Sequence, residues 1–386
     1  MKIISVVGAR PNFMKIAPLI HSINKHNTSN SSKGSINHIL VHTGQHYDDR
    51  MSKNFFHSLN IPEADINLGI GSGSHAQQVG QTMIEFEKVL LEVKPDWVIV
   101  VGDVNATLAC SVTAKKLGVK VCHIEAGLRS ADESMPEEIN RLVTDRLSDL
   151  LLAPDKLSTK NLLKEGVPED RIVFVGNIMI DTLENNRSKA SLMDINTIIK
   201  QNLIDGQTTN FNYQECNSDY ALMTMHRPSN VDHQDILTAI FDFICNKVLS
   251  DQPLIWPIHP RTQKMLMEFG LWETAIDTQN LVLLHPIGYH EMLRLNMDAS
   301  IMLTDSGGLQ EECCVLGTPC LTLRWNTERP ITLRHNGGAC VLVGNNAQNI
   351  LNEYIETLKI DRAPQRPEYW DGNTADRIVK TLMEIE

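Results

Sequence analysis

The sequence lacks the segments that direct a chain into or across a membrane. No run reaches the roughly 18 consecutive apolar residues that a transmembrane helix needs, and no N-terminal apolar stretch lies between basic residues and a cleavage site. Both absences argue against secretion and membrane insertion. We therefore expect a cytoplasmic protein with no membrane partner.

Positive charge is also scarce in this chain. There are 35 Lys and Arg residues against 47 Asp and Glu residues, which gives a net charge of −12 with neutral histidines. No segment gathers basic residues on one face. Because such a chain repels a phosphate backbone, we expect no nucleic-acid partner.

Several cofactor and metal motifs are missing. The eight cysteines include no CxxC pair and several lie in apolar runs, which favours buried thiols in a reducing compartment. His226 and His259 show no metal-ligand spacing, so no metal is expected. The turn after the first apolar run is not GxGxxG, so the fingerprint of a dinucleotide site is absent.

The length and composition are those of a globular protein with more than one domain. At roughly 150 residues per domain, 386 residues predict two to three domains, and two fit best. A content of 42% hydrophobic and 21% charged residues excludes collagen-like and disordered classes. The chain can bury more than one core.

Short β-branched apolar runs alternate with longer amphipathic segments, which is typical of βα units around a parallel sheet buried on both faces. Each half holds about six such runs, which predicts an α/β fold of two Rossmann-like, doubly wound domains. The predicted strands are Ile3–Gly8, His38–Thr43, Trp97–Gly102, Lys120–Ile124, Leu150–Ala153 and Ile172–Val175 in the first half, and Ala221–Met225, Leu254–Ile258, Leu281–Leu284, Ser300–Thr304, Cys320–Leu323 and Cys340–Val343 in the second.

The domain boundary is predicted near Asn185, where the periodic pattern weakens ahead of a polar stretch rich in Asn and Gln. The first domain then covers residues 1–184 and the second covers residues 185–365. Residues 366–386 contain a helical stretch that we expect to pack back on the first domain.

Polar residues follow several predicted strands of the first half, where a doubly wound sheet places its ligand crevice. Arg10 and Lys15 lie near a predicted helix N-terminus, where an anion would be stabilised. Asp103, Glu125 and Glu137 are three carboxylates that could divide acid and base roles. Solvated turn charges, helix caps and surface ion pairs remain the structural alternatives.

The second half has two candidates of the same kind. His226 follows a predicted strand, although a single histidine is more often structural than catalytic. Thr304-Asp305-Ser306-Gly307-Gly308 joins a strand to a helix, and its glycines and helix dipole would suit a diphosphate. Glu312 lies about one turn into that helix, where its carboxylate could accept hydrogen bonds from ribose hydroxyls. A glycine-rich turn with a helix cap is the structural alternative.

Eight short motifs follow one another along nearly the whole chain. They are Gly8-Ala9-Arg10-Pro11, Gly102-Asp103, His123-Ile124-Glu125-Ala126-Gly127-Leu128-Arg129, Pro136-Glu137-Glu138-Ile139-Asn140-Arg141, Gly176-Asn177, His226-Arg227, Asp305-Ser306-Gly307-Gly308-Leu309-Gln310-Glu311-Glu312 and Thr327-Glu328-Arg329-Pro330. In this order they resemble the motifs of the UDP-N-acetylglucosamine 2-epimerases.

The resemblance implies a two-domain GT-B architecture with a UDP-sugar in the cleft, a homodimer, and neither metal nor other cofactor. It also implies removal of the C2 proton with anti elimination of UDP to a 2-acetamidoglucal, followed by re-addition of UDP with C2 inverted. By position, the implied catalytic residues are Asp103, Glu125, Glu137 and His226. The implied nucleotide-binding residues are Arg10, Lys15, Ser306, Gly307, Gly308, Glu312 and Arg329.

The uracil end of the implied site departs from the family's pattern. Where many members have Gln and an aromatic residue, this chain has Ile287 and Met292. The departure leaves the base contacts to backbone groups.

A second departure concerns regulation by a second UDP-N-acetylglucosamine, which activates many bacterial members. Gln45 and His46 resemble that activator site, but Asp48 replaces a usual Gln and the loop Gly71–His75 lacks the usual Arg. Because an added carboxylate repels a diphosphate, we expect hyperbolic kinetics without activation.

Four other functions share parts of this pattern. A hydrolysing relative would release N-acetylmannosamine and UDP, and an epimerase of a modified sugar, such as a 6-deoxy or uronate form, would keep the same nucleotide motifs. A GT-B glycosyltransferase would share the glycine-rich turn and Glu312 without needing Asp103, Glu125 and Glu137 together. A catalytically silent nucleotide-sugar sensor is disfavoured because all four reactive positions are filled.

Overall fold

The computed structural model describes residues 1–8, 10–29, 34–44, 63–215 and 219–385, with the backbone alone at Arg10. The chain forms two compact units: the first unit is Met1–Asn185 with Pro367–Glu386, and the second unit is Asn186–Arg366. Each unit is built on its own parallel sheet, which confirms the predicted α/β fold. Among the described residues, none of the helices combines the length and the apolar composition that a membrane span requires.

The first unit contains a parallel sheet in the order β3-β2-β1-β4-β5-β6-β7. Its strands are β1 Lys2–Val7, β2 Asn37–His42, β3 Ile66–Asn67, β4 Trp97–Val101, β5 Lys120–Ile124, β6 Leu150–Ala153 and β7 Ile172–Phe174. Every residue of β4 is buried, as expected for an apolar strand covered on both faces. The order changes direction between β1 and β4, and ligands of such sheets bind at the carboxyl ends of the strands at this point.

The helices of the first unit are α1 Arg10–Ser29, α2 His75–Val93, α3 Asn105–Lys116, α4 Pro136–Leu147 and α5 Lys156–Lys164, and a sixth helix, α6 Ile178–Ser191, begins in this unit and continues past its boundary at Asn185. Their starts follow local capping rules. Ser74 and Gln77 form a capping box before α2, and Pro136 occupies the first turn of α4. The Asp155 side chain accepts the Ser158 N–H at 2.7 Å at the start of α5. These caps determine where the strand-to-helix turns lie.

The second unit repeats the plan with a parallel sheet in the order β10-β9-β8-β11-β12-β13. Its strands are β8 Ala221–Thr224, β9 Leu254–Pro257, β10 Leu281–Leu284, β11 Ile301–Thr304, β12 Cys320–Thr322 and β13 Cys340–Leu342. Its helices are α7 Ile195–Asn202, α8 Pro228–Val231, α9 Gln234–Phe243, α10 Pro260–Glu268, α11 Trp272–Asp277, α12 Tyr289–Asp298, α13 Gly307–Leu316 and α14 Ala347–Thr357. A π-helical segment, Ile244–Val248, extends α9 and is followed by one more helical turn, Leu249–Asp251.

The C-terminal helix, α15 Thr374–Glu384, is part of the first unit. Asp181 accepts the backbone N–H groups of Thr374 and Ala375 at 3.0 and 2.7 Å, so a carboxylate on α6 satisfies the start of α15. Ser22 on α1 donates to Asp376 at 2.6 Å. The last helix therefore completes the first unit although it follows the second unit in sequence.

The predicted strands agree with the structure to within one residue at each end. The exception is β3, which the sequence prediction misses. It is two residues long and pairs with Val41 and His42 at the edge of the sheet. Two residues carry no alternating pattern, so periodicity cannot reveal such a strand.

Candidate active site

Two predicted acidic residues follow neighbouring strands of the first unit. Val101 at the end of β4 pairs with Ile124 at the end of β5, and the chain continues into Asp103 and Glu125 respectively. The Gly102 N–H donates to the Ile124 carbonyl at 3.2 Å. Parallel strands in register thus bring both turns to one edge of the sheet.

Glu125 is buried and paired with Lys15, which lies on α1. The Lys15 ammonium donates to Glu125 Oε2, while Oε1 is buried without a hydrogen-bond partner among the described residues. A Cβ at Gly102 would lie 3.1 Å from Lys15 Nζ and 3.6 Å from Glu125 Oε2, so glycine leaves room for this pair. Glu125 also has a φ of 71°, an unfavourable left-handed conformation for a non-glycine residue.

Asp103 is held by α4. The Arg141 guanidinium donates to Asp103 Oδ2 and to Glu138 Oε2, and Asn140 Nδ2 donates to the Asp103 carbonyl at 2.8 Å. Arg141 and Glu138 are each about 2% exposed, whereas the Asp103 side chain is 26% exposed. A buried cation therefore orients the more accessible carboxylate.

Glu138 belongs to one of the sequence motifs, but the sequence analysis predicts no role for its carboxylate. Burial alone would raise its pKa, but hydrogen bonds from Ser130 and the Arg141 guanidinium outweigh burial and lower the pKa. Its neighbour Glu137, a predicted catalytic residue, is exposed in the first turn of α4 and lies four residues before Arg141. Residues four apart share a helix face, so Glu137 is on the Arg141 side of α4.

A buried network supports both acidic turns. His123 on β5 lies 2.6 Å from Asp145 Oδ1 through Nδ1 and 2.9 Å from the Gly102 carbonyl through Nε2. Asp145 Oδ2 accepts the Gly127 N–H at 3.0 Å and lies 2.7 Å from Arg129 Nη1. Burial would raise the pKa of Asp145, but the contacts with His123 and Arg129 outweigh burial and lower that pKa. Sequence reasoning assigned no role to this network.

The glycine-rich turn of the second unit has the predicted strand–turn–helix form. Ser306 is the N-cap of α13, with Gly307 and Gly308 in its first turn. A Cβ at Gly307 would lie 2.6 Å from Arg329 Nη1 and 2.7 Å from Glu328 Oε1, so the guanidinium lies directly against the helix start. A helix N-terminus beside a guanidinium stabilises an anion such as a diphosphate.

The Arg329 guanidinium is balanced by two carboxylates. It pairs with Glu328, and its Nε lies 2.8 Å from Glu311 Oε1. Arg324 Nη2 contacts the other Glu328 oxygen at 2.7 Å. Burial would raise the pKa of Glu328, but Arg329 and Arg324 outweigh burial and lower it. These two arginines and two glutamates therefore form one buried cluster of ion pairs beside the start of α13.

Glu312 lies inside α13 and is almost fully buried. Burial raises its pKa to about 8, and the nearby Glu311 carboxylate adds to the rise, while hydrogen bonds with Tyr289 and Asn296 oppose it. Near neutral pH the side chain is therefore mainly a neutral acid. A neutral acid can donate to a ribose hydroxyl as well as accept from one.

The raised pKa of Glu312 predicts a pH dependence of stability. The folded chain retains this proton up to about pH 8, whereas an unfolded glutamate loses it near pH 4.3. Its contribution is complete at low pH and declines between these values, by up to about 1.4 kcal/mol per pH unit. We expect urea unfolding from pH 5 to 9 to show that the free energy of unfolding of Glu312→Gln rises relative to that of the unmodified chain up to about pH 8. Above that pH the difference between the two proteins should stay constant. Parallel curves throughout would contradict this.

His226 follows β8 and belongs to the second unit. Its side chain is 43% exposed, and its Nδ1 lies 2.9 Å from Oδ1 of the fully buried Asp305. The His259 ring lies 5.4 Å away, centroid to centroid. Histidine, carboxylate and the start of α13 thus lie together, since Asp305 immediately precedes Ser306.

The remaining predicted positions are placed less completely. Arg10 is the first residue of α1, with its side chain outside the described residues. Ile287 and Met292 pack in an apolar core cluster of the second unit. Gln45, His46 and Asp48, on which the expected loss of activation depends, lie outside the described residues, so that expectation stays a prediction.

The chain is similar to known proteins over its full length. A family model described as UDP-N-acetylglucosamine 2-epimerase matches residues 29–383. The UDP-N-acetylglucosamine 2-epimerase of Methanocaldococcus jannaschii is 41% identical, with 99% of each chain covered. Its crystal structure in complex with UDP-GlcNAc and UDP superposes with a TM-score of 0.87 at 40% identity, covering 100% of both chains. The UDP-2,3-diacetamido-2,3-dideoxy-D-glucuronate 2-epimerase of Pseudomonas aeruginosa is 36% identical, with 100% of each chain covered.

Proposed function

The chain belongs to the UDP-N-acetylglucosamine 2-epimerase family, and from this premise we propose that it interconverts UDP-N-acetylglucosamine and UDP-N-acetylmannosamine. The observation that carries the proposal is the pair of acidic turns after β4 and β5. Asp103 is partly accessible there, and Glu125 is buried with one oxygen that no described residue uses. Carboxylates in two such different environments suit proton removal and proton return.

The reaction proposed for these residues is an elimination followed by the reverse addition. A carboxylate takes the C2 proton, the C2–H electron pair forms the C1–C2 double bond, and the C1–O bond breaks so that UDP leaves. The resulting 2-acetamidoglucal receives UDP again at C1 and a proton at the opposite face of C2. Asp103, Glu125 and Glu137 are proposed for the proton transfers, which general acid–base groups accelerate by about 10²–10⁴-fold.

The nucleotide end is proposed to bind in the second unit. The start of α13, with Ser306, Gly307 and Gly308, and the Arg329 guanidinium would bind the diphosphate, and Glu312 would contact the ribose. Lys15 and Arg10 of the first unit are also proposed as nucleotide-binding residues. Lys15 is bonded to Glu125 in this structure, so its ammonium would also orient that carboxylate.

NMR of the purified protein with UDP-N-acetylglucosamine in D2O tests this function. Because the C2 proton exchanges with solvent, we expect deuterium at C2 in both UDP-sugars as they interconvert. Free N-acetylmannosamine with UDP would instead show a hydrolysing enzyme. No deuterium at C2 would contradict the proposal, and Asp103→Asn serves as the inactive control.

A second candidate substrate is a UDP-diacetamido uronate. The Pseudomonas aeruginosa relative, which is named for this substrate class, matches the whole chain at 36% identity. The same D2O experiment with UDP-2,3-diacetamido-2,3-dideoxy-D-glucuronate discriminates the two. Faster C2 exchange in this sugar than in UDP-N-acetylglucosamine would favour the second candidate.

We also propose that the protein acts in the cytoplasm, where its product would enter surface polysaccharide synthesis. The described cysteines are all free thiols, and most are buried. Such thiols persist in a reducing compartment. The nucleotide sugars proposed as substrates would have to be present in the same compartment.

A homodimer is proposed from exposed apolar residues on two helices of the first unit. Ile84 and Leu91 on α2 are 54% and 59% exposed, and Ile139 and Val143 on α4 are 50% and 36% exposed. Both helices pack against α3. Exposed apolar groups of this kind mark interaction surfaces, and a second copy of the chain is the partner proposed here.

Light scattering with chromatography tests the dimer. We expect a mass of twice that of one chain, and a shift toward the monomer in Ile139→Glu because a buried unpaired carboxylate is costly. Leu192→Glu is the matched control, since Leu192 is 87% exposed and lies in the second unit. An unchanged dimer in Ile139→Glu would contradict the proposed surface.

A further inference from the structure

Asp305 is a fully buried carboxylate that bridges two neighbouring strands of the second unit. It follows β11, and its Oδ2 accepts the backbone N–H groups of His226 and Arg227, which follow β8, at 2.9 and 2.8 Å. Asn230 Nδ2 donates to the same oxygen at 3.1 Å. Three donors on one oxygen fix the rotation of the carboxylate, because turning it would break all three contacts.

The other oxygen, Oδ1, faces the imidazole of His226. It lies 2.9 Å from Nδ1 and has no aligned hydrogen bond from any described residue. Burial would raise the pKa of Asp305, but His226 and the backbone donors outweigh it and lower that pKa. The carboxylate is therefore ionised and can only accept, so the proton of the neighbouring imidazole belongs on Nδ1.

The other charged and titratable groups around His226 are already engaged. His259 accepts the Arg261 N–H on Nδ1 at 3.1 Å, and the Arg261 guanidinium pairs with Asp232. Arg227 Nε donates to the Asp305 carbonyl at 3.0 Å. Within the described ranges, Asp305 is the acidic side chain at ion-pair distance from His226.

We propose that Asp305 is the positioning residue of His226: it holds the Nδ1 proton and thereby presents Nε2 to the substrate. The proposal rests on the proposed function, and it gives His226 a defined part in the elimination. In this tautomer Nε2 carries no proton and accepts a hydrogen bond from the bound substrate, while the electron pair of the breaking C1–O bond goes to the β-phosphate oxygen of UDP. Re-addition of UDP reverses this step with the same tautomer.

Asp305→Asn is the variant that tests positioning without removing the scaffold. The amide oxygen takes the place of Oδ2, because three N–H groups require an acceptor there. The amide NH2 then faces Nδ1 and, being a donor, favours the opposite tautomer, with the proton on Nε2. The corresponding change in a serine protease triad lowers kcat by about 10⁴-fold by the same tautomer reversal.

We expect Asp305→Asn to lower kcat by about 10²-fold or more while changing UDP affinity by less than about threefold. In a His226→Asn background, adding Asp305→Asn should lower kcat by less than about threefold, because the imidazole on which Asp305 acts is already absent. Asp181→Asn is the matched control: Asp181 is also a buried carboxylate that accepts two backbone N–H groups, in the first unit.

Nitrogen-15 NMR of histidine-labelled protein reads the tautomer directly, with His226→Asn identifying the signal. The expected result is an Nδ1-protonated His226 in the unmodified chain and an Nε2-protonated ring in Asp305→Asn. An unchanged tautomer, or an equal loss of kcat in the presence and absence of His226, would overturn the proposal. The NMR result does not depend on which sugar the protein turns over. Absence of epimerase activity would therefore refute the proposed function, whereas the tautomer of His226 would still test whether Asp305 positions that ring.

Discussion

Glu125→Gln is expected to lower kcat by at least about 10²-fold, the scale of a lost general acid or base. Glutamine keeps the size of the side chain but cannot take a proton. It also leaves the Lys15 ammonium, 8% exposed, without its carboxylate, and breaking a buried pair from one side costs about 3–5 kcal/mol. The measurements are kcat with UDP-N-acetylglucosamine and urea unfolding of the same preparations.

The double variant Lys15→Met/Glu125→Gln separates the two losses. Removing the buried ammonium should restore much of the stability, because an uncompensated charge is no longer buried, whereas kcat should stay low. Glu85→Gln is the control, since Glu85 pairs with Lys88 on the surface of α2 and its loss should cost less than about 1 kcal/mol. Recovery of kcat together with stability would show that Glu125 acts through the fold alone.

Arg141→Met is the second change with a large expected effect. It removes the cation shared by Asp103 and Glu138, and so leaves Glu138, 2% exposed, without its charged partner. We expect a loss of about 3–5 kcal/mol in the free energy of unfolding. We also expect kcat to fall at least about tenfold, because Asp103 loses the group that orients it.

Arg261→Met provides the matched comparison for Arg141→Met. Arg261 pairs with Asp232 where both side chains are exposed by about a third or more, so its removal should cost less than about 1 kcal/mol. Arg141→Lys keeps the charge but cannot bridge two carboxylates with a planar fork, and it should fall between the two in stability. Equal stabilities of Arg141→Met and Arg261→Met would refute the proposed importance of the buried bridge.

Much of the fold could be predicted because its signals are local. Apolar runs such as β4 and β5 read as strands at almost their observed bounds, and the alternation with amphipathic segments led to two parallel sheets. The prediction fails at β3, where two residues depend on pairing with β2. The predicted domain bounds stay predictions. The predicted site residues also stay predictions, because membership of the family does not assign a role to each residue of this chain.

The sequence by itself determined which residues stand at the ends of strands, because strand periodicity and the turn after it are written within a few neighbouring positions. Asp103, Glu125, His226 and the turn before α13 were all identified in this way. Only the tertiary structure decided their partners. Lys15 and Glu125 are 110 positions apart, and His226 and Asp305 are 79 apart. Such pairs exist because parallel strands bring distant turns to one edge of a sheet, where burial strengthens each charge interaction.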